Sequence, residues 1–258
     1  MKKITLIAGP CVIESKENAM FIAQVMKNIA ERLDLDYYFK ASFDKANRTN
    51  IYSYRGPGIN EGLRILSEIK NTYNLKIATD IHESSQAEKV ATVADIIQIP
   101  AFLCRQTDLL IAAAQTGKII NVKKAQFLAP WDMKNVIQKL QDSGNNNLML
   151  CERGTCFGYN SLVVDMTGII EMKKFGYPVI IDATHSVQKP GGKGTETGGN
   201  RSYVEPLAKA AIAAGADALF FEVHPNPDTA LSDGANMVKL DEFEELLKRI
   251  IKVYNAVH

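Results

Sequence analysis

The sequence predicts an α/β fold, a (β/α)8 TIM barrel, on three observations. Short β-branched runs alternate with longer amphipathic stretches from end to end, the pattern of strand, crossover helix and parallel strand repeated. Eight such units can be counted, and no proline-rich or low-complexity linker separates them. The length of 258 residues is close to the roughly 250 typical of this barrel, so residues 1–258 are expected to form one domain.

The first strand is expected at Ile4–Ala8, with Ser15 capping a helix over Glu17–Arg32. Asp36–Lys40 and Gly62–Tyr73 form the second unit. Lys76–Thr79 opens the third, whose helix is the shortest and begins near His82 and Glu83. Ile96–Gln98 precedes Thr107–Gln115, and Ile119–Val122 precedes Asp132–Gln141. The last strands are Leu148–Cys151, Pro178–Ile181 and Ala218–Phe221. Helices Val204–Ala214 and Leu240–Val253 follow the last two, with Asp241 in the first turn of the final one.

With 46% hydrophobic and 23% charged residues, composition is that of an ordinary globular chain able to bury a full core. A net charge of +1 provides no overall field for nucleic acid or an acidic membrane, so any anion binding must be local. The four cysteines form no CxxC pair, which suits a reducing cytoplasm. The apolar run near the start is about five residues long, too short for a signal peptide, and no later run approaches the ~20 residues of a membrane span.

Two connections stand out, residues 41–58 and 183–203, both long and rich in charge and glycine. In a barrel both follow a strand and lie on the catalytic face, and the second is expected to be mobile until substrate binds. The residues that close the strands are Cys11, Lys40, Asp80, Gln98, Lys123, Arg153, His185 and Glu222, all polar or ionisable. Solvated sheet edges often end in polar residues, but that does not explain the chemical types. Lys40, Lys123 and Arg153, with Lys45 and Arg48, converge as a cationic cluster in a near-neutral protein, as multiply charged anions would require.

Cys11, His185, Glu222 and Asp233 have the character of a metal set: a thiolate, an imidazole and two carboxylates. That mixture suits zinc, iron, manganese or cobalt better than calcium. A lone Cys after Gly-Pro is more often a small buried hydrophobe, but barrel closure makes strands one, seven and eight neighbours. His224 could lie near such an ion or orient Glu222. Cys104 and Cys151 read as packed thiols, Trp131 as a packing residue, and His258 has no evident role.

At these residues the chain resembles the 3-deoxy-D-manno-octulosonate 8-phosphate synthases over nearly its whole length. The matching stretches include IAGPCVIES, FKASFDKANRTNIYSYRGPG, ATDIHES, NVKKAQFLAPWDM, ERGTCFGYN, DATHSVQKPGG and FFEVHPNPDTALSDGANM. The resemblance implies that Lys40, Lys45, Lys123 and Arg153 hold phosphoenolpyruvate, and that Asn47 and Arg48 receive the phosphate of D-arabinose 5-phosphate. It implies a pocket lined by Ser42, Asp80, Gln98 and Phe102, and an Arg105 that reaches a neighbouring subunit's site in a homotetramer. The family reads Ser-Ser after KANR where this chain has Thr49 and Asn50, so a hydroxyl survives at Thr49. Cys11 marks the metal-dependent class, with His185, Glu222 and Asp233 completing its ligands.

The implied reaction condenses phosphoenolpyruvate with the aldose phosphate and water, in the making of a lipopolysaccharide precursor. Lys45, Lys123, His185 and Asp233 are its candidate catalytic residues, and the ion could orient the aldehyde or activate the water. The nearest rival uses erythrose 4-phosphate to make 3-deoxy-D-arabino-heptulosonate 7-phosphate, but such synthases carry a KPRT-type segment in place of KANRT. A lysine Schiff-base aldolase would leave the metal set unexplained, and a non-catalytic sugar-phosphate sensor should have lost a catalytic group.

Overall fold

The computed structural model describes residues 3–192, 194 and 197–257. Strands Thr5–Gly9, Asp36–Lys40, Lys76–Asp80, Ile96–Ile99, Ile119–Lys123, Leu148–Glu152, Val179–Asp182 and Ala218–His224 pair in parallel in chain order. The first pairs with the last, Ile7 opposite Phe220, which closes the barrel. The strands extend the sequence expectation by a residue or more at several ends, because polar residues such as Asp80 and Lys123 still belong to the ladder.

Helices surround the barrel at Lys16–Arg32, Ile59–Tyr73, Ala87–Ala91, Thr107–Gln115, Met133–Asp142, Met166–Lys173, Val204–Ala213 and Phe243–Val257. Ser15 caps the first as expected, its hydroxyl accepting from Asn18 N at 3.1 Å. The final helix starts at Phe243, so Asp241 precedes it and is not in its first turn. The third helix is indeed short, and Asp165 caps the one after the sixth strand by accepting from Thr167 N at 2.9 Å. Among the described residues no helix is long and apolar enough to cross a membrane.

Two cores follow from the period of two along each strand. Outward-facing residues such as Leu6, Phe39, Ile97, Val122 and Phe221 pack against the helices in one large shell. Inward residues Ile7, Tyr38, Ala78, Ile96, Met149, Cys151, Ile180, Ala218 and Phe220 fill the barrel. Two residues further along the same inward parity come Lys40, Asp80, Gln98, Arg153, Asp182 and Glu222. The apolar plug therefore becomes a polar floor at the C-terminal ends of the strands, where barrels of this type carry their sites.

Cys104 and Cys151 are buried as expected, in the shell and in the barrel respectively. Trp131 does not pack: it is 63% exposed, while Pro130 beside it lies against Gly168 and takes the contact. The expected mobility of 183–203 falls partly on Lys193, Thr195 and Glu196, which lie outside the described residues, as does His258. The described part of that connection includes a short helical turn, Ala183–Ser186, and an antiparallel pairing of Gln188–Lys189 with Gly198–Gly199.

Candidate active site

A cavity of about 560 Å³ opens above the polar floor, lined by residues that include Lys40, Lys45, Asp80, Gln98, Lys123, Arg153, His185 and Asp233. Asn47, Arg48 and Thr49 form one wall, and Phe102, 55% exposed, sits at the rim.

Cys11 reaches the site because the chain keeps pairing beyond the first strand. Ser42 N donates to Cys11 O at 3.3 Å, Ile13 N donates to Ser42 O at 3.0 Å, and Val12 bridges Ser42. Gly9 permits that approach, since a Cβ there would collide with the Lys40 carbonyl oxygen. Asp233 arrives from the loop after the eighth strand with a left-handed backbone, φ +50°, a strained state for an aspartate that its surroundings must hold. Gly234 follows where any Cβ would strike the Pro227 carbonyl oxygen.

The Cys11 thiol, a Glu222 oxygen and an Asp233 oxygen lie within 4.8 Å of one another. Burial, then the Glu222 charge, push the Cys11 thiol well above its usual range. Neither Glu222 carboxylate oxygen has a hydrogen-bond partner among the described residues, although both are buried. Asp233 Oδ2 accepts from the Cys11 thiol at 3.3 Å, but the two unpartnered Glu222 oxygens are acceptors that a divalent cation would satisfy, and thiolate plus carboxylates suit a transition ion. His185 is close but separate: its Nε2 lies 3.6 Å from Glu222 Oε1 and its Nδ1 2.7 Å from Asp182 Oδ2.

Lys45 balances these acids. Burial alone would lower its pKa, but Cys11, Glu222, Asp80 and Asp233 outweigh that and raise it well above the ordinary lysine value. Its Nζ lies 3.8 Å from Glu222 Oε1. Lys40 is lowered by burial against the pull of Asp80, whose carboxylate lies 3.6 Å away. Burial would raise Asp80, yet Lys40, His82 and Lys45 hold it well below the carboxylate range.

Ser42, expected to touch substrate, is buried and is not among the residues that line the cavity. Its hydroxyl accepts from Lys40 Nζ at 2.8 Å and donates to Asp80 Oδ1 at 2.5 Å, so the lysine head lies over it. Arg105 does not line the cavity of its own chain and is exposed; its carbonyl accepts from Lys139 at 3.0 Å. His82, read as a helix start, also lines the cavity, with Nε2 3.1 Å from Asp80 Oδ2. His224 sits 3.3 Å from Glu14 and 3.2 Å from Asn18, an arrangement that fastens the end of the eighth strand to the start of the first helix.

Sequence reasoning missed Asp182, Gln188 and Ser232. Asp182 contacts Lys123 and accepts from His185 N at 2.9 Å and from the Thr184 hydroxyl at 3.1 Å. Against burial, His185 and Lys123 drive its carboxylate far below the ordinary range. The strand-end rule could have found it, since it closes the seventh strand. Gln188 accepts from Arg153 at 2.6 Å, and Ser232 accepts from Arg48 at 2.6 Å while lying 3.2 Å from the Cys11 sulfur. No spacing signal marks either.

The chain is 61% identical over 256 residues to the 2-dehydro-3-deoxyphosphooctonate aldolase of Fusobacterium nucleatum, covering 99% of this chain and 92% of that protein. Proteins of the same name from Synechococcus sp. and Desulfotalea psychrophila are 58% and 56% identical over 254 residues each. Those alignments cover 98% of this chain and 89% and 91% of the relatives. Residues 2–258 match the family described as DAHP synthetase I, and the chain belongs to that family.

Proposed function

We propose that this enzyme condenses phosphoenolpyruvate with D-arabinose 5-phosphate and water, giving 3-deoxy-D-manno-octulosonate 8-phosphate and phosphate. The observation that carries the reading is one cavity with two cationic ends. Lys123 and Arg153 stand on the strand floor, Asn47, Arg48 and Thr49 on a loop wall, and Lys45 lies among the acids.

Lys123 and Arg153 would hold the phosphate of phosphoenolpyruvate and offset charge as its carbon-oxygen bond breaks, with Lys40 nearby for the carboxylate. Arg48, Asn47 and Thr49 would take the aldose phosphate. The methylene carbon would then bond to the aldehyde carbon while water adds to the enol carbon and phosphate leaves by carbon-oxygen cleavage, and the Lys45 ammonium would donate a proton to the aldehyde oxygen. Asp80 and Gln98 offer polar partners for the sugar hydroxyls. Cys11, His185, Glu222 and Asp233 are the residues that would hold a divalent transition ion, which would supply Lewis acidity beside the aldehyde or the attacking water.

The relatives' shared name favours the octulosonate product over the heptulosonate one. A site with a polar partner for each hydroxyl leaves groups unpaired when a shorter sugar binds. The ratio of kcat/KM for arabinose 5-phosphate to that for erythrose 4-phosphate, at saturating phosphoenolpyruvate, should therefore favour the five-carbon sugar. A ratio favouring erythrose 4-phosphate would overturn the substrate while leaving the barrel intact.

We also propose a homotetramer in the cytoplasm, with sites near subunit interfaces. Exposed Phe102, Phe127, Trp131, Phe157 and Tyr159 all fall on the loops after strands four to six, the first of which also carries exposed Arg105, which supports assembly through that end of the barrel. All four thiols are unpaired, in keeping with a reducing compartment.

A further inference from the structure

Behind the cavity cations lies a second pair of charges that the proposed chemistry does not use. Lys124 follows Lys123 and Glu152 precedes Arg153, on adjoining strands where Lys123 stands opposite Cys151. By the alternation of strand residues, the inner pair faces the cavity and the outer pair faces away. Neither Lys124 nor Glu152 lines the cavity, yet they are 0% and 1% exposed, and Lys124 Nζ lies 3.5 Å from Glu152 Oε1.

Two ions withdrawn from water are costly, and apolar residues of like volume would fill the space as well or better. What apolar residues could not do is make the remaining bonds. Lys124 Nζ donates to Thr155 Oγ1 at 3.0 Å and to the Ala125 and Leu128 carbonyl oxygens at 3.3 Å each. Glu152 Oε1 accepts from Arg153 N at 2.9 Å and from Gly154 N at 2.6 Å, at the point where Gly154 turns the chain with φ +94°. The pair thus brackets both loops that leave the fifth and sixth strands.

On the cavity side the two cations carry like charge in a desolvated wall and repel one another. Lys123 is drawn toward Asp182, whose charge also pulls on Arg153, and Arg153 donates to Gln188, so a shared acid offsets part of the repulsion but no hydrogen bond among the described residues joins the two cations directly. From this geometry we infer that Lys124 and Glu152 are a positioning pair, holding Lys123 and Arg153 at the separation one phosphoenolpyruvate phosphate requires. The inference rests on the proposed role of those two cations.

The test uses the full-length protein and the double variant Lys124→Met/Glu152→Gln, which removes both charges and keeps an amide oxygen for Arg153 N and Gly154 N. Three quantities are read: the Kd for phosphoenolpyruvate by calorimetry, KM for each substrate, and Tm. A positioning role weakens phosphoenolpyruvate about tenfold or more, as for a misaligned charge-assisted contact. KM for the aldose phosphate should stay within about twofold, since Arg48 stands on another loop. A folded double variant that binds phosphoenolpyruvate as wild type does overturns the inference. If the double variant does not fold, Glu152→Gln alone carries the same expectation and the same refutation. Arg153→Ala serves as control: unchanged phosphoenolpyruvate binding there overturns the role of the inner cations, whereas loss there with none in the double variant overturns only the positioning pair.

Discussion

Replacing Arg48 and Arg153 separately by alanine tests whether the cavity has two anion sites or one. Arg153 is buried, its guanidinium held by Gln188 Oε1 at 2.6 Å; burial lowers its pKa against the pull of Asp182, and a guanidinium still stays charged. Arg48 enters from the loop wall and donates to Ser232 at 2.6 Å. Each would make charge-assisted hydrogen bonds to a phosphate worth about 1.5–3 kcal/mol. At about 1.4 kcal/mol per decade that is a loss of roughly ten- to a hundredfold. Arg48→Ala should impose it on the aldose phosphate and spare phosphoenolpyruvate, and Arg153→Ala should do the reverse. Phosphate release, measured with each substrate varied at saturation of the other, gives both constants. The reasoning fails if either variant weakens both substrates equally, provided the variant melts cooperatively near the wild-type temperature.

Chelation should abolish phosphate release, and a divalent transition ion should restore it; full activity in metal-free protein would refute the assignment of Cys11, His185, Glu222 and Asp233. Cys11→Asn should abolish thiolate-dependent metal retention, measured as bound metal after dialysis, while leaving Tm close to wild type. On the barrel exterior, Arg249 hydrogen bonds, with help from Lys209, lower the Glu205 carboxyl from 4.5 to about 2. Glu205 thus contributes stability above its unfolded pKa that is lost as pH falls toward 2. Allowing for solvent screening, Glu205→Gln should cost about 1 kcal/mol at pH 7 and only a small part of that by pH 2. Urea melts across that range check the sign, and a difference that grows on acidification would refute it.

Hydrophobic alternation reaches the barrel and its polar floor because both depend on one rule, that strand residues two apart share a face. That rule carries Lys40, Asp80 and Gln98 from sequence to the cavity and Glu222 to the buried floor beneath it, and by the same logic it carries Asp182 to that floor. It stops at the loops. Whether Ser42 meets solvent or the underside of Lys40 depends on where one lysine head lies, which no periodicity records. Ser232 likewise becomes a partner of both Arg48 and Cys11 only because the last loop folds back over the first strand, fastened by Glu14 accepting from Leu231 N at 2.8 Å. Lys124 and Glu152 fall in a third class. Their outward parity predicts apolar residues facing the helical shell, and the sequence departs from that at both positions. A buried charge where the strand period calls for a hydrophobe is itself a readable signal. At adjoining strand ends, opposite signs at two such positions point to each other as partners before any coordinates are known.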